Sequence, residues 1–369
     1  MNKQNKILVV CTTDSMITNF LIPHIQDLKD RGCQVDCACS KTGKYFNMIR
    51  DDFGISVHEV DFHRNPFSVG NINAYYKLSK LIREGKYNVI FCHEPVGGAM
   101  GRIAGRMNHC KVIYMAHGFH FYKGAPKKNF VFYLVEKFLA RWTDVLVTIN
   151  QEDYEASTKF ACENILKLNG IGVNTQKFNY APNRVYVSNI IADDKVILLS
   201  VGELIARKNH EVVIRAISSL KNDRIQYLIA GEGELLDYLK QLSSQLGVEK
   251  QIHYLGYRTD INQLCNACDI FVMPSLQEGL SVALMEAMAT GNAIVASKIR
   301  GNVDLIDNSG GILVEAMDIK GYAEAIRKLA DSEEQRAQMG RYNIERVNEY
   351  DISFVREQMK EVFDLVLDS

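Results

Sequence analysis

Short apolar runs alternate along the chain with longer stretches of helical period, a pattern that predicts βαβ units and parallel sheets. In the first half the runs predict strands at 6–13, 34–40, 56–61, 88–93, 111–117 and 144–150, with a weaker one at 165–169. In the second half they predict strands at 196–202, 226–230, 251–256, 270–274 and 292–297, with a short one near 311–314. Helical patterns such as 235–246 and 322–330 fill the gaps, and 352–366 reads as a final amphipathic helix. Between the two halves lies a polar stretch, 178–194, with one proline and no clear period. The expected fold is therefore α/β, with two doubly wound, Rossmann-like domains. An N-terminal domain covers 1–177, a linker 178–194 and a C-terminal domain 195–351, and the helix at about 352–369 is free to pack back on the first domain.

A length of 369 residues agrees with two domains of about 100–200 residues each. The charge is balanced, 43 Lys+Arg against 44 Asp+Glu, and no nucleic-acid partner is expected. The balance hides an asymmetry: residues 1–180 hold 23 Lys+Arg and 16 Asp+Glu, a net +7, whereas the remainder is net −8. A basic first half suits an anionic partner. The chain starts on a strand pattern rather than a signal peptide, and no run reaches the roughly 18 apolar residues of a membrane span. Nine cysteines without a secretion signal read as reduced cytosolic thiols, and the single CxxC, Cys265 and Cys268, as packing thiols rather than a zinc site.

Ligands of doubly wound sheets bind at the carboxyl ends of the strands, and three candidate constellations follow strands. In PSLQEGLSVALMEAMATG, 274–291, a strand gives way to a loop, with Ser281 as N-cap of the next helix and Gly291 closing it. The helix N-terminus offers free amides to a phosphate, and Gly279 admits a close approach. Glu286, about one and a half turns in among apolar neighbours, needs a donor: either two adjacent hydroxyls, as on a ribose, or a core Arg or Lys. Glu278 would face whatever extends beyond the phosphates. In SVGELIARKNH, 200–210, Arg207 and Lys208 stand at the start of a helix, where they oppose its dipole unless an anion sits there too. In YMAHGFHFYKG, 114–124, His117 ends a strand. His93, His117 and His120 lack the spacing of a metal site, and no Asp-x-Asp occurs. The first turn, Thr12 to Met16, lacks G-x-G-x-x-G, which speaks against a nicotinamide enzyme.

The ordered set VGELIARKNH, then Pro274-Ser275, Glu278 and Glu286, resembles the family 4 glycosyltransferases of GT-B fold over essentially the whole chain. HEPVGG, AHGFHFYKGAPKKN and TDVLVTINQEDY are similar to bacterial capsule and exopolysaccharide glycosyltransferases, and NGIGVNTQKF to the family's domain junction. The resemblance implies two domains facing across a cleft and a retaining, metal-independent transfer from a nucleotide sugar, a UDP-sugar for preference, with no cofactor. Carried over, Glu286 would hold the ribose, Glu278 and the amides of Gly279, Leu280 and Ser281 the sugar and phosphate, and Lys208 the diphosphate beside Gly202. Tyr257 and Arg258 would line the base pocket, and His117 would touch the donor sugar. Two departures stand out. Glu203 occupies the place of the family's usual arginine, for which Arg207 is a substitute, and Asp14-Ser15, after Thr13, occupies that of a Gly-Gly pair in the acceptor-side first loop.

The resemblance also implies a lipid-linked acceptor, a polyprenyl-diphosphate glycan. Lys123, Lys127 and Lys128 precede a run with Phe130, Phe132, Tyr133, Phe138 and Trp142, which suits an anionic membrane surface and a cytoplasmic enzyme peripheral on the inner face of the membrane. The alternative is that these aromatics are core. The alternative functions are a sugar-nucleotide 2-epimerase of the same architecture, or a non-catalytic partner subunit of a polysaccharide assembly complex.

Overall fold

The computed structural model describes residues 4–43, 45–192 and 194–367. Two compact units emerge, residues 1–171 with 355–369, and residues 172–354. Each is built on one parallel sheet.

The first sheet holds β1 (Lys6–Thr13), β2 (Gln34–Ser40), β3 (Val57–Glu59), β4 (Val89–His93), β5 (Lys111–Ala116), β6 (Val145–Thr148) and β7 (Asn164–Lys167) in the order 3-2-1-4-5-6-7. The second holds β8 (Val196–Val201), β9 (Ile225–Ala230), β10 (Ile252–Gly256), β11 (Ile270–Met273), β12 (Ala293–Ser297) and β13 (Gly311–Val314) in the order 10-9-8-11-12-13. The order reverses between β1 and β4, and again between β8 and β11, where a doubly wound sheet opens a crevice. The central strands are apolar runs because both faces are covered: Leu8, Val9 and Val10 are fully buried, as are Ile270, Phe271 and Val272.

Four helices border the crevices or the surface beside them: α1 (Pro95–Met107), α2 (Phe130–Leu139), α3 (His210–Leu220) and α4 (Val282–Ala289). In α1 a strip of glycines replaces side chains on the face toward the sheet. A Cβ on Gly97 would lie 2.9 Å from the Thr12 amide nitrogen, and one on Gly101 would lie 2.6 Å from Cys92 Cβ. Only glycine lets the helix sit this low.

Two expectations need correction. The polar segment 178–194 is no free linker. It belongs to the second unit, where Ala181 donates its amide to Asn266 Oδ1 at 2.6 Å and Arg184 pairs with Asp269 at 2.6 Å. Polar residues there read as linker because their partners are other polar groups. Nor is there an open loop after β1: the strand runs through Thr13 and a helix begins at Asp14. The last helix, α5 (Ile352–Leu367), belongs to the first unit from Val355 onward. Val355, Met359, Val362 and Phe363 are fully buried, and Phe363 meets Phe91 edge to face at 5.7 Å.

Candidate active site

In the second unit the loops after β8 and β11, at the switch point, are tied together by one backbone and one side-chain hydrogen bond. Leu276 donates its amide to the Arg207 carbonyl at 2.8 Å, and Asn209 Nδ2 donates to the Pro274 carbonyl at 3.1 Å. Asn209 adopts a left-handed conformation, φ 52°, which asparagine tolerates better than most residues. Arg207 and Lys208 lie in the short turn Ala206–Lys208 before it, not in α3 itself, so neither cation opposes that helix dipole from within.

Both cations converge on one carboxylate. Lys208 Nζ is 2.7 Å and Arg207 Nη1 3.2 Å from Glu278 Oε1. Burial pushes Glu278 up, but Lys208 and then Arg207, with a hydrogen bond from Ser275, bring it below the usual carboxylate range. A Cβ on Gly202 would crowd the Lys208 side chain at 3.1 Å.

Glu286 is the opposite case. It is half-buried on α4, between the buried Met285 and Ala287, and among the described residues no group donates a hydrogen bond to its carboxylate. Burial pushes it up to about 7, against a smaller pull from Lys177. The expected alternative, an ion pair with a core Arg or Lys, is not what the structure shows. Ser281 caps α4, its hydroxyl accepting from the Leu284 amide at 3.4 Å, and Gly291 follows the helix at φ 75°. Gly279 and Leu280 lie in the turn between the two glutamates. Tyr257 is exposed, while Arg258 is engaged by Asp260, to which its Nε donates at 2.8 Å, and by Tyr186.

Several residues that sequence reasoning missed build this site. Arg300, after β12, donates from Nε to the Glu278 carbonyl at 3.1 Å and fixes that loop. Gly231 and Gly233 let the loop after β9 press on the loop after β8: a Cβ on Gly231 would lie 1.9 Å from the Gly202 carbonyl oxygen. Beneath Lys208, His210 Nδ1 meets Tyr227 Oη at 3.1 Å, and that hydroxyl donates to Ser200 Oγ at 2.7 Å. The signal available for Arg300, Gly231 and Gly233 was position alone, directly after a strand.

In the first unit, Glu94 caps the β4 end at φ 60° and accepts from the amides of Thr12 at 2.8 Å and Thr13 at 3.2 Å. Asp14 is buried, and its carboxylate is occupied by the amide and hydroxyl of Thr42. Ser15 donates to the Thr13 hydroxyl at 3.2 Å. His117 Nε2 lies 3.0 Å from His93 Nδ1, and burial holds His117 down at about 3, so it is a neutral imidazole. Among the described residues no three His, Cys, Asp or Glu are placed to hold a metal. All nine cysteines are free, and Cys268 Sγ donates to Asn292 Oδ1 at 2.7 Å. Lys123, Lys127 and Lys128 are exposed. So are Phe130 (59%) and Phe138 (50%), which rules out the core alternative for those two aromatics.

Residues 187–346 match the family model described as glycosyl transferases group 1, and residues 6–150 match glycosyl transferase 4-like. The chain is 31% identical to the putative glycosyltransferase EpsD of Bacillus subtilis, over 98% of this chain and 97% of that protein. It is 30% identical, over 80% of each, to an Escherichia coli protein named UDP-Gal:alpha-D-GlcNAc-diphosphoundecaprenol alpha-1,3-galactosyltransferase. The solved structure of Anabaena HepE in complex with UDP superposes with a TM-score of 0.82 at 19% identity, covering 97% of this chain and 99% of that one.

Proposed function

The chain belongs to the group 1, family 4 glycosyltransferases of GT-B fold, and on that premise we propose that it moves a hexose from a UDP-sugar to a polyprenyl-diphosphate-linked glycan in polysaccharide synthesis. The observation that carries this is the pair of unlike glutamates on one loop and helix. Glu278 is held ionised by two cations, whereas Glu286 is left without a donor in a half-buried place. A ribose supplies two hydroxyl donors to Glu286, and the diphosphate draws Arg207 and Lys208 toward its own oxygens, beside the capped N-terminus of α4.

In this reading the bond between anomeric carbon and phosphate oxygen breaks, and the nucleoside diphosphate leaves with the electron pair. The acceptor hydroxyl bonds to the same face of the carbon and gives its proton to a leaving phosphate oxygen. Configuration is thereby retained. Glu278 is a poor base because Lys208 and Arg207 hold it ionised and engaged. The two cations stabilise the charge that builds on the leaving group, the task a metal does elsewhere, so no metal is required. A role for His117 at the donor sugar is part of the proposal. The diphosphoundecaprenol in the name of the Escherichia coli relative supports the acceptor class.

The test is a panel of UDP- and GDP-sugars with wild type and Glu286→Gln. Hydrogen bonds to a charged group are worth about 1.5–3 kcal/mol, so the variant is expected to lose roughly ten- to a hundredfold in donor affinity. Unchanged affinity in the folded variant removes the ribose assignment. Release of free nucleotide with no acceptor product would favour the epimerase.

A further inference from the structure

The first unit contains a groove of about 840 Å³ that the donor chemistry does not use. Ala99, Met100 and Ile103 of α1 line one side, and Val131, Val135 and Phe138 of α2 the other. Thr12, Glu94 and Gly118 line it too; Thr12 is in the last residues of β1 and the other two come just after β4 and β5, so they mark the carboxyl edge of the sheet, where chemistry belongs. Leu139 and Trp142, just before β6, mark the opposite edge. Apart from Glu136, which Arg102 pairs at 2.7 Å, the lining is mostly apolar along its length and polar at one end, where Arg64 and His120 join Glu94. Among the described residues Arg64 is exposed and makes no ion pair.

The outer wall of the groove is open to the surface. Val131 (41%), Leu134 (51%) and Val135 (41%) are exposed as well as lining it. Apolar side chains in a continuous exposed strip mark a contact surface rather than ordinary solvated helix. Basic residues flank the strip at both ends, Lys127 and Lys128 before α2 and Arg141 after it.

The geometry points to the occupant: the isoprenoid chain of the acceptor lies in the groove between α1 and α2, with its diphosphate at the Arg64–His120 end. This rests on the lipid-linked acceptor proposed above and names where the lipid goes. A chain that ends in a diphosphate matches a channel that is apolar along most of its length and carries the Arg64 guanidinium at the sheet edge. The open side lets such a chain move in laterally from a membrane surface instead of threading end-on. The positive flanks suit both the diphosphate and an anionic bilayer. Glu94 shares that end, its carboxylate engaged by the amides of Thr12 at 2.8 Å and Thr13 at 3.2 Å and countered by the nearby Arg64 charge.

The chain has a single tryptophan, Trp142, and it lines the groove, so its emission reports occupancy. The probes are isopentenyl, farnesyl and geranylgeranyl diphosphate, with inorganic diphosphate as control, titrated into the full chain without detergent. A saturable shift of Trp142 emission is expected, tightening by about tenfold or more from the shortest to the longest prenyl chain as more methylenes are buried. Inorganic diphosphate is expected to leave the emission unchanged. Val135→Asp and Ala99→Phe, each checked for folding by circular dichroism, are expected to flatten the length dependence. Equal binding of the three prenyl chains, or wild-type binding by both variants, overturns the groove. If transfer to polyprenyl-diphosphate glycans persists alongside that result, the acceptor proposal stands without it. Length-dependent binding with no transfer to any such glycan overturns the acceptor proposal and keeps the groove as an isoprenyl-diphosphate site.

Discussion

Glu286 carries a proton linkage that can be measured. Its folded pKa, about 7, lies above the 4.5 of a free glutamate, so the folded protein binds this proton more tightly than the unfolded chain. Without ligand, stability therefore falls as pH rises from about 4.5 through about 7, by at most on the order of 3 kcal/mol. Ribose hydroxyls favour the ionised form, so donor affinity is expected to rise over the same window and level off above it. Calorimetry with UDP-glucose, whose diester phosphates do not titrate there, checks this between pH 5.5 and 8. Glu286→Gln is expected to flatten the curve and, at pH 8, to melt higher than wild type while binding donor worse. A pH-independent affinity in wild type would remove the linkage.

Glu278 obeys the reverse sign. Its depressed pKa contributes stability above the unfolded value, and that contribution is lost as pH falls through the folded one. Lys208→Met strips the nearer cation from a buried carboxylate, a change that costs about 3–5 kcal/mol. The deficit, measured by denaturant unfolding, is expected to be large at pH 7 and to shrink toward pH 4 as Glu278 protonates. A deficit that stays constant with pH would mean the lysine acts through packing alone. Glu278, Lys208 and Arg207 were readable in the sequence as charges on loops that follow apolar strands, and Glu286 as a lone carboxylate among apolar helical neighbours. Arg300 was not, since it holds a carbonyl, and any residue supplies a carbonyl.

At the scale of elements, strands were the most legible. The central strands of each sheet are covered on both faces and read as apolar runs with little ambiguity of type, whereas the edge strands β3 and β7 are short, partly polar and only half-buried. Legibility ended where a tertiary contact decided. Glu94, Gly97 and Thr12 form a junction in which a helix N-terminus, a strand end and a carboxylate fix one another. The sequence HEPVGG carries the residues but not the contact. Gly97→Ala puts a methyl against backbone that cannot move aside, and overpacking of that kind costs about 1–3 kcal/mol. A melting-temperature drop is expected, with slower transfer through displaced Thr12 but an unchanged nucleotide affinity. Weaker nucleotide binding in this variant would show that the junction acts beyond its own unit. Helix α2 was ambiguous in the sequence, because its aromatics have a helical period whether they face a core or a surface.

For the whole molecule, charge and surface act together. Exposed Phe130, Leu134 and Phe138 lie along the chain from Lys123, Lys127 and Lys128, in the half of the chain that is net +7. Each basic residue near an anionic surface contributes about 1 kcal/mol. Co-sedimentation with anionic vesicles is expected at low salt and lost at high salt, and the Lys123/Lys127/Lys128→Glu triple variant is expected to stay in solution. Binding that ignores both salt and the triple change would assign attachment to the apolar strip alone. No helix among the described residues is long and apolar enough to cross a bilayer.

The first unit takes residues 1–171 and then waits for 355 onward, whereas the second is one uninterrupted segment. On a ribosome the earlier-made unit is therefore the one completed later. Until α5 emerges, the side of Phe91 that Phe363 covers, and the Asp27 carboxylate that Arg356 engages, have no partner from it. The half that reads as lipid-facing thus spends the longest time in synthesis with an open apolar flank. Whatever shields nascent chains from one another has to act on the amino-terminal half while the carboxyl-terminal half is still being made.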